Sequence, residues 1–542
     1  MNFAAARRPS ISRGYEQTPQ SLALYRIAFA LWTLFVLGPT RMGVGQVSGD
    51  YGDMPAGFYF PPLGPGMLLH GWPSTEVMLV MEVALTAGLF LVLIGLWTRA
   101  ASIAVGLLGL SLSSLVFAGG KIDHTILWVV VLPLVMSSTS WGDTWSVDAA
   151  RKRRNPKSAT TQIQIIAAAL GVMFAAAGAI KALTGWLDPT TSSILGWSYA
   201  QDVQVGIAIN STPGASFLPD AFFAGLDYVT ILFEVGFLLA VLRRQWLIPY
   251  LVFACIFHLS AGASGFPGFV DIGIVYLLFL RLDRTAEHMA PMLDWLQRQP
   301  GLVLGATGLI FVAYSSSALV VGQPITVIGV LRRMGVPDFA LWLIPLAAVA
   351  WVALRRRGEP RDSNGNQIPA WMLAVGVVVL ATQLAATVRI SEPYPSLAGP
   401  LFMGNFDDGD EIHVARQSFT VNGEPISGGD LLGLSPAAAV QLGSTRFPAP
   451  ILDRNGDVLM KPTRAQVLAA QYHQFSGEHL DARSEEVSPE EYDWLRARAQ
   501  DAGFACDEGC EIAVAWDRVD VDRKTGRVLA EKPVRQWVLT VR

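Results

Sequence analysis

The sequence predicts a polytopic all-α transmembrane bundle of about nine to eleven helices, followed by a C-terminal, non-cytoplasmic, β-rich soluble domain. Of 542 residues, 52% are hydrophobic and only 15% are charged. The apolar residues fall in blocks near the length a helix needs to cross a bilayer, about 20 residues. From about residue 389 these blocks give way to short stretches such as EIHVARQSFTV and EIAVAWDRVDV, which read as strands. A formal net charge of -4 provides no basic field for nucleic acid.

Residues 1–21 read as a cytoplasmic segment. Arg7, Arg8 and Arg13 precede the first apolar run, 22–37, but that run contains Arg26 and lacks a small-residue cleavage site. It is therefore expected to be a retained span and not a signal peptide. Further apolar segments lie at 75–96, 99–118, 124–138, 161–180, 228–242, 246–260, 269–280, 302–321, 339–354 and 370–388, with the fourth, eighth and tenth of the eleven the shortest or least regular. The boundaries divide the chain into a main transmembrane domain at 22–285, additional transmembrane helices at 286–388 and a soluble domain at 389–542.

Charge placement orients the chain. With the N-terminus in the cytoplasm, Arg99, the cluster from Arg151 to Lys157, Arg243, Arg244, Arg281, Arg284, Arg298 and Arg355 to Arg357 all fall on the cytoplasmic side, as the positive-inside rule requires. Arg332 and Arg333 are the exception. The expectation is a multi-pass protein of the inner or plasma membrane, with the C-terminal domain and the Pro-, Gly- and aromatic-rich loops 38–74 and 182–227 on the outer side.

In the soluble domain, Asn422-Gly423, Asn455-Gly456 and Thr525-Gly526 are turn signals, and a helix is expected near 489–500. Outward placement makes Cys506 and Cys510 candidates for a local disulfide, whereas two thiols alone do not complete a tetrahedral metal site. Asp453, Asn455 and Asp457 suggest a calcium loop, but Arg464 stands where its closing Glu is needed, so a hairpin turn is expected. Cys255, in an apolar segment, reads as a buried thiol.

Arg26, Glu82, Lys181, Glu234 and Asp271 lie in or beside apolar segments, where a charge must pair, snorkel or face a polar cavity. Glu82 and Glu234 are the available partners for Arg26 and Lys181, without a unique assignment. Lys181 stands at the outward end of GVMFAAAGAIKALTGW and either snorkels or serves as a base. His124 and His258 sit near the same face, so three nitrogen side chains can converge or remain separate interfacial residues. Walker loop, dinucleotide fingerprint, nucleophile elbow and HExxH spacing are all missing from the sequence, and no metal is expected.

The stretches SLALYRIAFALW, FYFPPLGPG, DHTILWVVVLPLVMSSTSWGDTWSVDAARKRR, AAAGAIKALTGW and FHLSAGASGFPGFVDIGIVYLLF resemble the vitamin K-dependent gamma-glutamyl carboxylase and its bacterial relatives, the horizontally transferred transmembrane domain (HTTM) family. The resemblance covers roughly residues 20–285 and includes the WSVD of Trp145, Ser146, Val147 and Asp148. It implies that Lys181 is the catalytic base, that His124 is a second catalytic residue, and that His258 and Trp186 contact the cofactor. That cofactor would be a reduced quinone of the vitamin K hydroquinone or menaquinol type, used with oxygen and carbon dioxide to carboxylate a protein or peptide glutamate. Ile180 stands where the family commonly has a second lysine, and Ile122 and Asp123 precede His124 in place of paired asparagines. The rival expectations are a quinone- or lipid-handling protein of the same fold without carboxylation, and a nonenzymatic membrane scaffold or export factor.

Overall fold

The computed structural model describes residues 15–38, 42–119, 124–151, 158–190, 193–205, 220–263, 269–321, 324–355, 368–389, 410–447 and 487–539 except 508, together with 450, 452, 457 and 458. The chain enters the bundle through α1 (Pro19–Leu31), which runs on as a π-helical stretch, Trp32–Leu37. Thr18 starts it by accepting the Ser21 N–H, with Pro19 in the first turn, where a missing N–H costs nothing. A short α2 (Gln46–Tyr51) precedes α3 (Thr75–Ile94), α4 (Thr98–Ala118), α5 (His124–Met136), α6 (Val147–Arg151) and α7 (Thr160–Leu183). Then follow α8 (Ser193–Val205), α9 (Asp220–Leu242), α10 (Arg244–Ala263), α11 (Gly273–Leu278), α12 (Asp283–Gln297) and α13 (Pro300–Val321). The helical part closes with α14 (Val327–Arg333), α15 (Leu343–Arg355) and α16 (Ala370–Arg389).

All eleven expected apolar segments contain helix, but among the described residues seven helices are long and apolar enough to cross a membrane. The other four expected segments form shorter helices among the described residues. The described part of α5 has 13 residues and runs on through Pro133 to Met136. The segment from residue 269 is broken into a 3-10 turn, Val270–Ile272, and the six residues of α11. A 3-10 turn, Asp338–Trp342, also precedes α15.

The buried charges of the spans have specific partners. Glu82 on α3 is enclosed by four donors: the N–H groups of Gly45, Val47 and Ser48 and the Ser48 hydroxyl. It fixes the start of α2 instead of neutralising a cation. Arg26 is fully buried and donates to the carbonyls of Trp141 at 3.3 Å and Trp145 at 2.6 Å. The WSVD stretch is a knot between spans: Asp148 accepts the Trp97 and Thr98 N–H groups at 3.0 and 2.8 Å and the Thr98 hydroxyl at 3.1 Å, which caps α4. Gly95, at φ +66°, ends α3 where an added Cβ would collide with the Arg26 guanidinium and Ser146.

The C-terminal domain is a four-stranded antiparallel sheet in the order β2-β1-β3-β4, with β1 (Glu411–Val421), β2 (Glu424–Ile426), β3 (Ile512–Asp522) and β4 (Val528–Leu539). Asn422 and Gly423 take φ +52° and +81°, the left-handed pair of a tight two-residue hairpin. In the β1–β3 register, Ile412 faces Val521 and Val414 faces Val519, while Phe419 faces Val514 and Val421 faces Ile512. The one-residue offset sends the two sets to opposite faces. Among the described residues three helices pack in this domain, α17 (Gly428–Leu432), α18 (Pro436–Arg446) and α19 (Pro489–Asp501). Only α19 was expected; Ser488 and Glu491 start it with a full capping box. Cys506 and Cys510 are joined by a disulfide. The proposed turn at 453–456 lies outside the described residues, though Leu452 and Val458 flanking it pair antiparallel.

Both long loops expected on the C-terminal domain's side contact that domain. Phe58 packs against Trp494 with ring centroids 5.2 Å apart, and the Gly57 backbone abuts the Glu491 carboxylate. From the second loop region, the Tyr199 hydroxyl on α8 donates to the Arg523 carbonyl at 3.0 Å. Arg332, the exception to the charge pattern, is paired with Asp338.

Candidate functional site

Lys181 stands in the last turn of α7, and only 2% of it is exposed, so it does not snorkel. Its ammonium donates to Glu234 Oε1 on α9 at 2.5 Å. Gly178, one turn earlier, makes this approach possible: a Cβ there would lie 2.9 Å from Val235 Cγ2 and 3.0 Å from the Glu234 Cβ. Small residues at such a seam allow two helix backbones to close.

The chain then folds over the lysine. Gly185, at φ +104°, turns it back so that the Trp186 N–H donates to the Lys181 carbonyl at 3.2 Å. The Trp186 ring centroid lies 5.4 Å from Nζ, within reach of a cation–π contact. Trp186 shares a buried cluster with Leu195 and Trp197 and with Ile412, Val414, Val519 and Val521 of the sheet. The C-terminal domain therefore roofs this end of the bundle, excluding water from a polar pair that would otherwise face it. Asp227 braces the same region by accepting the Ser193 and Ile194 N–H groups at 2.8 and 3.0 Å, starting α8.

His258, on α10, occupies an aromatic pocket beside this seam. Its Nε2 lies 3.0 Å from the Tyr276 hydroxyl, and its ring stacks on Trp342 at 4.6 Å and 12°. It also meets Phe233 at 5.6 Å and Phe174 at 6.3 Å. Phe233 adjoins Glu234 in sequence, and Phe174 lies two turns before Lys181. Among the described residues, His258 Nδ1 and Glu234 Oε2 are buried without a hydrogen-bond partner. His124 opens α5, and its side chain lies outside the described residues.

The structure thus brings Trp186 to Lys181 and selects Glu234 as the lysine's partner from the two carboxylates the sequence offered. Tyr276 and Trp342 were not singled out in the sequence. Each is an aromatic residue in an apolar segment, and Trp342 lies beyond the resembling stretches. Elsewhere, Glu411, His413 and Asp520 bring ligand-type atoms within 4.8 Å of one another. Asp520 already accepts from Arg518 at 2.6 Å and pairs with His413 at 2.7 Å. Although burial opposes it, these contacts hold the Asp520 carboxyl below the usual range, so the cluster behaves as a closed ion network.

A bundle of apolar helices enclosing a lysine–carboxylate pair under a small sheet domain defines a multi-pass membrane protein with a polar site inside its membrane domain. Residues 15–267 match the HTTM domain family, a family related to the membrane domain of vitamin K-dependent carboxylase. No curated protein and no solved structure matches the chain.

Proposed function

We propose that the Lys181–Glu234 pair is the proton-transfer centre of a carboxylase-like membrane enzyme acting on a protein or peptide glutamate, with reduced quinone, oxygen and carbon dioxide. The observation that carries this reading is the 2.5 Å contact between two groups buried beneath Trp186 and the sheet. The pair has no net charge whichever partner holds the proton. Moving the proton to Glu234 leaves an amine able to take another from a weak acid, at no cost in net buried charge.

Two features of the site support a quinone as the partner. Among the described residues Glu234 Oε2 and His258 Nδ1 are buried polar atoms without partners, suited to a quinol hydroxyl, and Phe174, Phe233 and Trp186 offer flat apolar walls. A reduced quinone supplies, on reaction with oxygen, a base stronger than any side chain for the glutamate γ proton. Lys181 would take the proton from the quinol, Trp186 and the sheet would keep water out, and His258, held by Tyr276, would orient the ring. His124 is the second residue that the resemblance assigns to catalysis. In this reading the C-terminal domain lies outside the cytoplasm, where the acceptor would be met, and the quinone enters from the bilayer.

The test is mass spectrometry on the purified protein with menaquinol, oxygen, isotopically labelled bicarbonate and a glutamate-rich peptide. Labelled carbon dioxide on glutamate, lost in Lys181→Met, supports the reading. Oxidation of the quinol without incorporation would replace it with quinone handling on the same fold.

A further inference from the structure

At the end of the bundle opposite Lys181, a cavity of about 170 Å³ opens between α1, α3, α12 and α13, with Ile27, Leu93, Val147, Leu293, Leu296 and Val303 among its walls. Trp145, Ser146 and Gln297 also line it, and their polar groups are turned to protein partners. The Trp145 indole donates to Asp294 at 2.8 Å, and Gln297 Oε1 accepts the Trp145 N–H at 3.1 Å. The Ser146 hydroxyl donates to the Gly142 carbonyl at 2.6 Å and accepts the Ala149 N–H at 2.9 Å. What remains on offer is hydrocarbon surface. Apolar cavities of about 150 Å³ stay dry and take up small hydrocarbons, so water is a poor occupant.

We propose that this cavity binds one acyl chain of a bilayer phospholipid. The surroundings offer that ligand directly. The α13 helix exposes Leu302 and Leu309, and α12 exposes Met292 and Trp295, so the mouth between them faces hydrocarbon at the depth where an amphipathic helix rests. Arg298, exposed at the same junction directly after Gln297, stands where the lipid's phosphate would lie. The wall at Trp145 is rigid: its backbone is held at φ +46° by the Arg26 bond to its carbonyl and the Gln297 bond to its N–H. Strained residues fixed in this way are a feature of ligand clamps. The site is separate from the lysine pair, and its occupancy does not depend on any reaction there.

The test uses the full chain in nanodiscs with a phospholipid carrying a diazirine in its acyl chain, followed by mapping of cross-links. In the wild type, cross-links to Ile27, Leu293 and Val303 are expected to saturate as the probe fraction rises, while those to the outward Leu309 and Val312 increase in proportion. In Val303→Trp, which fills the cavity, labelling of Ile27 is expected to fall several-fold with Leu309 unchanged. Cavity labelling that rises in proportion to the probe fraction, as at the outward positions, would overturn the proposal without recourse to any variant. So would unchanged Ile27 labelling in a Val303→Trp protein that remains monodisperse.

Discussion

Lys181 meets Glu234 because Gly178, one turn before the lysine, leaves no side chain between α7 and α9. The ion pair and the helix seam are one structural unit, so each is testable through the other. Glu234→Leu alone leaves the buried ammonium unpaired and is expected to cost about 3–5 kcal/mol. Lys181→Met combined with Glu234→Leu is expected to recover most of that loss, since an apolar pair of similar volume replaces two desolvated charges. Thermal unfolding in detergent measures both, and equal losses in the single and double variants would contradict a coupled pair.

Gly178→Leu pushes a branched side chain into Val235 and Glu234. The expected cost is about 1–3 kcal/mol from overpacking, with loss of any activity that depends on Lys181. Gly178→Ala is expected to be milder. A melting temperature unchanged in Gly178→Leu would show that the two helices are free to separate there.

The sequence showed the helical segments well, because apolar blocks are set by local composition. It did not show which would be full spans, since the change to a 3-10 turn after Phe269 depends on short-range backbone geometry. Lys181 and Trp186 stood out as candidates through the resemblance carried by AGAIKALTGW, and the structure brings the two side chains together. The choice of Glu234 over Glu82 was not, because it depends on which helix faces α7, a tertiary fact. Likewise, nothing local in the sequence marked Tyr276 or Trp342 as neighbours of His258. In the C-terminal domain the Asn422-Gly423 turn and the capping box of α19 were readable, whereas α17 and α18 were hidden among small residues.

Acid is expected to loosen the C-terminal domain through Glu491. Burial alone would raise its pKa, but hydrogen bonds from Arg446 and Ser488 hold it below the ordinary glutamate value. A lowered folded-state value means the contribution is complete above the unfolded value of about 4.3 and is lost as pH falls through the folded one. Asp520, also lowered, adds to the same trend below about pH 3.9. Circular dichroism of the domain signal between pH 6 and 2 should show unfolding at the acid end, with a smaller pH dependence in Glu491→Gln.

Asp148 caps α4 through three hydrogen bonds. Asp148→Ala is expected to destabilise the protein by about 0.5–2 kcal/mol, and Asp148→Asn, which retains an acceptor, by less. The comparison of melting temperatures checks this. Equal values for the two variants would show that the carboxylate charge near Arg26 matters more than the cap.

Reducing the Cys506–Cys510 disulfide opens a short loop, worth about 2 kcal/mol in chain entropy. The Tyr492 hydroxyl, which accepts the Cys510 N–H at 3.1 Å and donates to its carbonyl at 2.6 Å, should preserve the local fold. Proteolysis with and without reductant is expected to show faster cleavage near residue 506 and little change in the spans.

The bond from Tyr199 to Arg523 joins positions 324 residues apart, and the strands that cover Trp186 pair across a separation of 107 residues at His413 and Asp520. Contacts this distant in sequence carry a large loop-closure cost, which slows their formation. The helices that carry Lys181 and Glu234 can associate well before the sheet is complete. The lysine pair therefore acquires its cover only once strands encoded far downstream have paired over Trp186.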